Sequence, residues 1–294
     1  MSDAPVPRMA ADWGEVARLV PVAHRENAIY ELTLSDGRRL ALRFHRPGYR
    51  DDAEIGAELD WTDGLARSGF PCPRPAARAA GGWLARSGGL RASAVEWIDA
   101  APLSNGVPGP AAMRDLGALV ARLHAAPPAS PLARPAWDAE ALLGPDPLWG
   151  PFWRNPSLSG SEAQRLLHAR AAAQRALEHR DVPVGAIHAD LLAENVLVDA
   201  AGGLHLIDFD DCGPGYLPYD LGTALIQHWF RPDYPELKAA LMEGYGTRDD
   251  PDLFVALRAM ASAGWAIGRF SGDDPRQRGY VDRALAVVER VFHV

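Results

Sequence analysis

The sequence predicts an α+β chain in two lobes: a small antiparallel-sheet N-terminal lobe over residues 1–97 and a larger, mostly helical C-terminal lobe over residues 98–294. Three observations carry this. At 294 residues the chain is long for a single hydrophobic core. Its first third alternates apolar and polar residues with the period of two that half-buried strands need. Beyond about residue 100 the apolar residues recur at the three- and four-residue spacing of helices.

In chain order, Tyr30, Leu32 and Leu34 alternate, Ser35-Asp36-Gly37 supplies a turn, and Leu40, Leu42 and Phe44 alternate again. This is a hairpin with one buried face. Residues 51–68 read as a helix, with Ile55, Leu59 and Leu65 on one side and Gly69 at its stop. Short strands are expected around Trp83 to Ile98, broken by Gly81-Gly82 and Gly88-Gly89. Met113, Leu116, Leu119, Val120 and Leu123 mark an amphipathic helix that ends before Pro127-Pro128. Residues 127–160 are rich in Pro, Gly and Trp and read as an irregular insertion. A helix is expected after Ser161, with Gln164 completing a capping box. Further helices fit residues 219–230, 236–245, 251–270 and 274–292.

Composition narrows the function classes. A hydrophobic fraction of 48% supplies a real core. The formal net charge of −8 argues against nucleic acid or an anionic membrane as partner, since both want a basic face. Cys72 and Cys212 have no metal or disulfide spacing, so a reducing, cytoplasmic setting is expected. Residues 1–11 do not read as a signal peptide, and no apolar run approaches the length of a membrane span. Only Lys238 is lysine; every other basic residue is arginine. A lysine-dependent mechanism has that one side chain to draw on.

The segment Val184–Gly215 carries the chemistry. Val196-Leu197-Val198 reads as a short strand, Asp199 to Gly203 as a turn, and Leu204 to Ile207 as the return strand. Antiparallel pairing would bring Asn195 beside Asp208, with Asp190 five residues upstream in reach of the same point. Two carboxylates and an amide form an oxygen donor set that suits Mg²⁺. Asn195 and Asp208 would hold the metal against nucleotide phosphates, leaving Asp190 to orient or deprotonate an acceptor hydroxyl.

His188-Ala189-Asp190 followed by Asn195 resembles the H-x-D-x-x-x-x-N catalytic loop of the protein-kinase-like superfamily, and Asp208-Phe209-Asp210 resembles its D-F-G motif. With Ile207 ahead of that motif and Tyr219-Asp220-Leu221 after it, the segment resembles the aminoglycoside/choline phosphotransferase family most. The resemblance implies a bilobal protein-kinase-like fold and transfer of the γ-phosphoryl group of ATP, with Mg²⁺, to a small-molecule hydroxyl acceptor. It places Asp190 as catalytic base, Asn195 and Asp208 on the metal, and Arg43, Glu58, Ala41, Asn27, Glu96 and Ile98 around the nucleotide. Leu40-Ala41-Leu42-Arg43 stands where such proteins carry V-A-I-K, and Glu58 would hold Arg43. The linker Glu96-Trp97-Ile98 would offer backbone groups to adenine.

Two departures matter. Arginine stands at 43 in place of lysine, which keeps a nucleotide-binding pseudokinase in view as an alternative. No glycine-rich phosphate loop is present, so Asn27 is the expected phosphate cover. A stress-response serine/threonine protein kinase is a variant of the same chemistry, and Arg43 to Pro47 resembles that branch. Against a protein acceptor, Ala189 leaves no phosphate receiver and the stretch after Asp211 is too short for a long activation loop. His188 and Asp220 read as braces of the loop, and Asp210 and Asp211 either as contacts to metal or a cationic acceptor or as solvated, structural carboxylates. Trp149, Trp153, Trp229 and Trp265 are candidate walls of an acceptor pocket. Asp233, Glu236 and Glu243 would suit a cationic acceptor.

Overall fold

The computed structural model describes residues 5–24, 26–271 and 273–294. Its elements begin with α1 (Pro5–Ala10), β1 (Val16–His24), β2 (Ala28–Leu34), β3 (Arg39–His45), α2 (Asp52–Arg67), β4 (Ala85–Ser87), β5 (Leu90–Glu96) and β6 (Ala101–Pro102). They continue with α3 (Pro110–His124), α4 (Ala139–Leu143), α5 (Gly160–Glu178), β7 (Val184–Ile187), β8 (Val196–Val198), β9 (Leu204–Leu206) and β10 (Gly213–Tyr216). The chain closes with α6 (Leu217–Ile226), α7 (Tyr234–Tyr245), α8 (Asp252–Ala266) and α9 (Pro275–Phe292). Packing divides it into two units: Met1–Ala101 with Pro128–Ala133 and Leu197–Asp210, and Pro102–Pro127 with Arg134–Val196 and Asp211–Val294.

In the first unit β1 to β5 form an antiparallel sheet in the order β1-β2-β3-β5-β4. The expected hairpin is β2–β3, with Tyr30 opposite Leu42 and Leu32 opposite Leu40. Its period of two sorts the side chains: Leu40, Leu42 and Phe44 are buried, while Ala41 and Arg43 look out on the other face. Strand β1 escapes the sequence reading because it is mostly exposed and contains Pro21. It lies at the sheet edge with two register shifts, where a proline is tolerated. Helix α1 delivers Val6, Met9 and Ala10 to the sheet's core together with Trp13, whose indole donates to the Ala76 carbonyl at 2.7 Å.

Helix α2 starts at a capping box between Asp51 and Glu54, worth about 1 kcal/mol. It buries Ile55, Leu59, Trp61 and Leu65, and with them the charged Glu58. The β8–β9 turn closes with the Asp199 amide donating to the Gly203 carbonyl at 3.0 Å, and the Leu206 amide donates to Pro71, four residues beyond α2.

The second unit is helical, with α3 packed on α7, α6 on α8 and α8 on α9. Glycines set the closest approaches. A Cβ at Gly117 of α3 would overlap the Leu241 carbonyl of α7, one at Gly244 would overlap that of Arg114, and one at Gly222 of α6 would overlap the backbone of Phe254 in α8. Strands β7 and β10 pair antiparallel beside them. Helix α5 begins earlier than the sequence reading placed it. Ser159 is its cap and Glu162 closes the box, since the Glu162 carboxylate reaches both the Ser159 amide at 2.7 Å and Arg278 of α9 at 2.7 Å. The 127–160 segment is also more ordered than expected, carrying α4 behind an Asp138 cap. Lys238 of α7 is held between Asp250 at 3.0 Å and Asp252 at 2.8 Å. None of the described helices is long and apolar enough to cross a membrane.

Candidate active site

In the first unit, strand β3 presents Arg43 to the buried carboxylate of Glu58 on α2, with which it forms a close ion pair. The other side of the guanidinium lies 3.5 Å from Asp208 and 3.9 Å from Asp210. Burial opposes the charge on Arg43, but Glu58, Asp210 and Asp208 outweigh it and hold the guanidinium's proton above the ordinary arginine range. Three carboxylates therefore share one guanidinium, an excess of negative charge that fits a divalent cation. Asp208 follows β9 with φ of +62°, a conformation that costs a non-glycine residue about 1 kcal/mol or more. Its side chain is 48% exposed while those of Phe209 and Asp210 after it are buried. Phe209 anchors the turn, edge-on to Trp61 of α2 with centroids 5.6 Å apart.

Asn27 is engaged at both ends of its amide. Its nitrogen donates to Asp210 at 3.0 Å and its oxygen accepts from the Arg46 amide at 3.0 Å. Ala41 lies half-buried beside Arg43 on the open face of β3. At the end of β5 the Glu96 amide donates to the Arg74 carbonyl, and just past it the Trp97 amide donates to that of Arg39. The Ile98 amide makes no hydrogen bond within the described residues.

In the second unit, β7 runs into the loop His188–Asn195. Ala189 is buried with φ of +66°, and the loop is held in that shape by the fully buried Asp220 of α6. The Asp220 carboxylate accepts from the amides of His188 at 2.9 Å and Ala189 at 2.7 Å, and lies 3.1 Å from Nε2 of His124. His124 in turn meets the Tyr245 hydroxyl through Nδ1 at 2.9 Å. The buried His188 accepts the Asp190 amide at Nδ1 at 3.3 Å, a bracing geometry. Asn195 donates from Nδ2 to the Asp190 carbonyl and to Asp190 Oδ2, both at 2.8 Å. That orientation turns its oxygen, the atom that can bind a hard cation, away from Asp190.

The second oxygen of Asp190 accepts from Arg258 of α8 at 2.7 Å, and Arg258 also donates to the Ala189 carbonyl at 3.0 Å. The sequence reading passed over Arg258. A signal was present: after Asp252 it is the one charged residue of α8, which is apolar nearly all round and buried from Leu253 to Gly264. Burial opposes its charge, yet Asp190 and Tyr219 hold its proton above the ordinary range.

Other expectations meet different surroundings. The acidic residues proposed for a cationic acceptor are surface ion pairs or exposed, with Asp233 on Arg231 at 2.6 Å, Glu243 on Arg114 at 2.8 Å and Glu236 in solvent. The four tryptophans fall in separate clusters: Trp149 with Trp137 and Arg258, Trp153 with Phe152 and Arg170, Trp229 with Tyr234 and Arg290, and Trp265 with Phe270 and Tyr280. Among them, Trp149 borders Arg258, which touches the His188–Asn195 loop.

The sequence model of the phosphotransferase enzyme family matches residues 18–258. The chain is 35% identical over 190 residues to a homoserine kinase of Rhizobium meliloti, covering 62% of this chain and 55% of that one. It is 30% identical over 221 residues to a homoserine kinase of Methylobacillus flagellatus, covering 73% and 64%. The chain thus spans under two thirds of the length of these curated relatives. A microcompartment-associated aminopropanol kinase superposes with a TM-score of 0.86 at 26% identity, over 98% of this chain and 97% of that one. An amicoumacin kinase superposes at 0.80 and 18% identity over 99% and 94%, a likeness of fold. The fold is therefore protein-kinase-like, and with most of its length matched the chain belongs to the phosphotransferase enzyme family.

Proposed function

We propose that this chain transfers the γ-phosphoryl group of Mg-ATP to the hydroxyl of a small molecule, with Asp190 as base. The observation that carries the reading is the Asp190 carboxylate, fixed by Asn195 on one oxygen and Arg258 on the other in a loop whose backbone is bent into the left-handed region. A carboxylate held this way orients an acceptor hydroxyl. The acceptor oxygen forms a bond to the γ-phosphorus, the bond from that phosphorus to the bridging oxygen breaks toward ADP, and the hydroxyl proton passes to Asp190.

Asn195, through its side-chain oxygen, and Asp208 would hold Mg²⁺. When bound, the ion neutralises charge on the β- and γ-phosphate oxygens. Arg43, kept in place by Glu58, grips phosphate with a planar guanidinium where lysine would offer a point charge. Asn27 ties the approach to β2 to Asp210 and so shapes the phosphate cover. Ala41 and the linker Glu96–Ile98 would take the adenine, the unengaged Ile98 amide supplying a donor. The names of the relatives make homoserine and the aminopropanols the first acceptors to try, and favour small molecules over a protein acceptor.

The test pairs thermal melting with turnover. Saturation at about 100 times the dissociation constant stabilises a fold by about 2.7 kcal/mol, several degrees for a protein of this size. Wild type should gain that shift with Mg²⁺ and ATP together, and Asp208→Ala should not. ADP release on the acceptor panel should fall about 10³-fold or more in Asp190→Asn with the melting shift intact. Mg-ATP binding without turnover on any hydroxyl acceptor would instead favour the pseudokinase reading that Arg43 raises.

A further inference from the structure

Resting on the proposed function, we infer that Arg258 is a positioning residue for Asp190, and that the segment 134–155 holds Arg258 to that task through Trp149. Arg258 is 4% exposed, and a guanidinium is buried in an apolar helix only where it is paired. Its contacts supply the reason for a charge there. One nitrogen donates to Asp190 Oδ1 and the other to the carbonyl of Ala189. The Ala189 residue is thereby pinned from both sides, its N–H by Asp220 and its C=O by Arg258, in the left-handed conformation that aims Asp190. With Asn195 on Oδ2, the carboxylate plane is fixed by two donors from separate elements.

The remaining face of the guanidinium is covered by the Trp149 ring at 4.7 Å. Trp149 has little freedom of its own. It stands edge-on to Trp137, 4.9 Å away, which stacks on Tyr219 at 5.4 Å and donates to the Asp211 carbonyl at 2.8 Å. The next residue, Gly150, has φ of +97°, and a Cβ at Gly264 of α8 would overlap its carbonyl oxygen. The loop backbone therefore sits directly on the helix that carries Arg258. A lysine at 258 could reach Asp190 or Ala189 but could not bridge both with a planar fork.

The measurements are melting, Mg-ATP affinity, and steady-state kinetics with homoserine and the aminopropanols for wild type, Arg258→Gln, Arg258→Lys and Trp149→Leu. Arg258→Gln should lower kcat about 100-fold, with acceptor KM changed less than threefold and Mg-ATP affinity within twofold. Arg258→Lys should recover about a tenth of the wild-type rate. Trp149→Leu, which keeps the charge, should lower kcat about tenfold, and the Arg258→Gln/Trp149→Leu pair should be no worse than Arg258→Gln alone. A kcat within threefold of wild type in Arg258→Gln, or a loss confined to KM, would overturn the inference. Should Arg258→Gln fail to fold, Trp149→Leu decides it, since unchanged kcat there removes the role assigned to the segment. A second readout needs no turnover. The guanidinium nitrogens of Arg258 should give separate, slowly rotating resonances in ¹⁵N-arginine spectra, collapsing in Trp149→Leu and in Asp190→Ala. If wild type binds Mg-ATP but turns over neither acceptor, the acceptor assignment falls while the spectra still decide whether Arg258 is locked; a freely rotating Arg258 in wild type overturns the inference.

Discussion

At the scale of single residues, Arg43 is the position where this chain departs most from the lysine its motif leads one to expect. The pairing with Glu58 survives the exchange, and the wider guanidinium additionally spans toward Asp208 and Asp210. A neutral Arg43→Met should leave Glu58 buried without its countercharge, lowering stability by about 3 kcal/mol or more and abolishing the Mg-ATP melting shift. Arg43→Lys should keep the pair and retain kcat/KM within about tenfold, as steady-state kinetics would measure. The spacing of His188, Asp190, Asn195 and Asp208 could be read directly because it lies along one stretch of chain. Arg258 could not be placed from spacing, since the 68 residues between it and Asp190 are closed by tertiary packing, α6 on α8 included.

At the scale of elements, the sequence was most legible where periodicity and turn chemistry agree. The β2–β3 hairpin, α2, α3 and the β8–β9 hairpin all stand where the alternation and capping residues put them. It was least legible at β1, whose exposed edge and Pro21 erase the alternating signal, and at the start of α5, where a long-range partner chooses between two serines. That choice has a pH signature. Arg278 and the Ser159 cap hold Glu162 down at about 2, below its ordinary value of 4.5. The folded-state value is depressed, so this contribution is complete above about pH 4.5 and is lost as pH falls toward 2. Glu162→Gln should lower the melting temperature by a degree or two at pH 7 and flatten its decline between pH 4.5 and 2, in a calorimetric pH series.

At the scale of the molecule, each unit carries its own core, and each core contains one cysteine. Cys72 of the first unit is nine-tenths buried, and that burial pushes its thiol up to about 12; Cys212 of the second is fully buried. Neither sulfur is open to a reagent in the folded chain. A pulse of thiol reagent along a urea titration should therefore report each unit separately, Cys72 labelling at lower urea than Cys212 because the smaller unit buries less of its surface. Simultaneous labelling by peptide mass spectrometry would show instead that the two cores melt as one.

Lys238, clamped between Asp250 and Asp252, carries the only ε-amino group of the chain. Reductive methylation with ¹³C-formaldehyde would therefore place one side-chain label in this chain, on α7, and its dimethyl-lysine resonance, distinct from that of the α-amine, would follow the rupture of that clamp without any mutation.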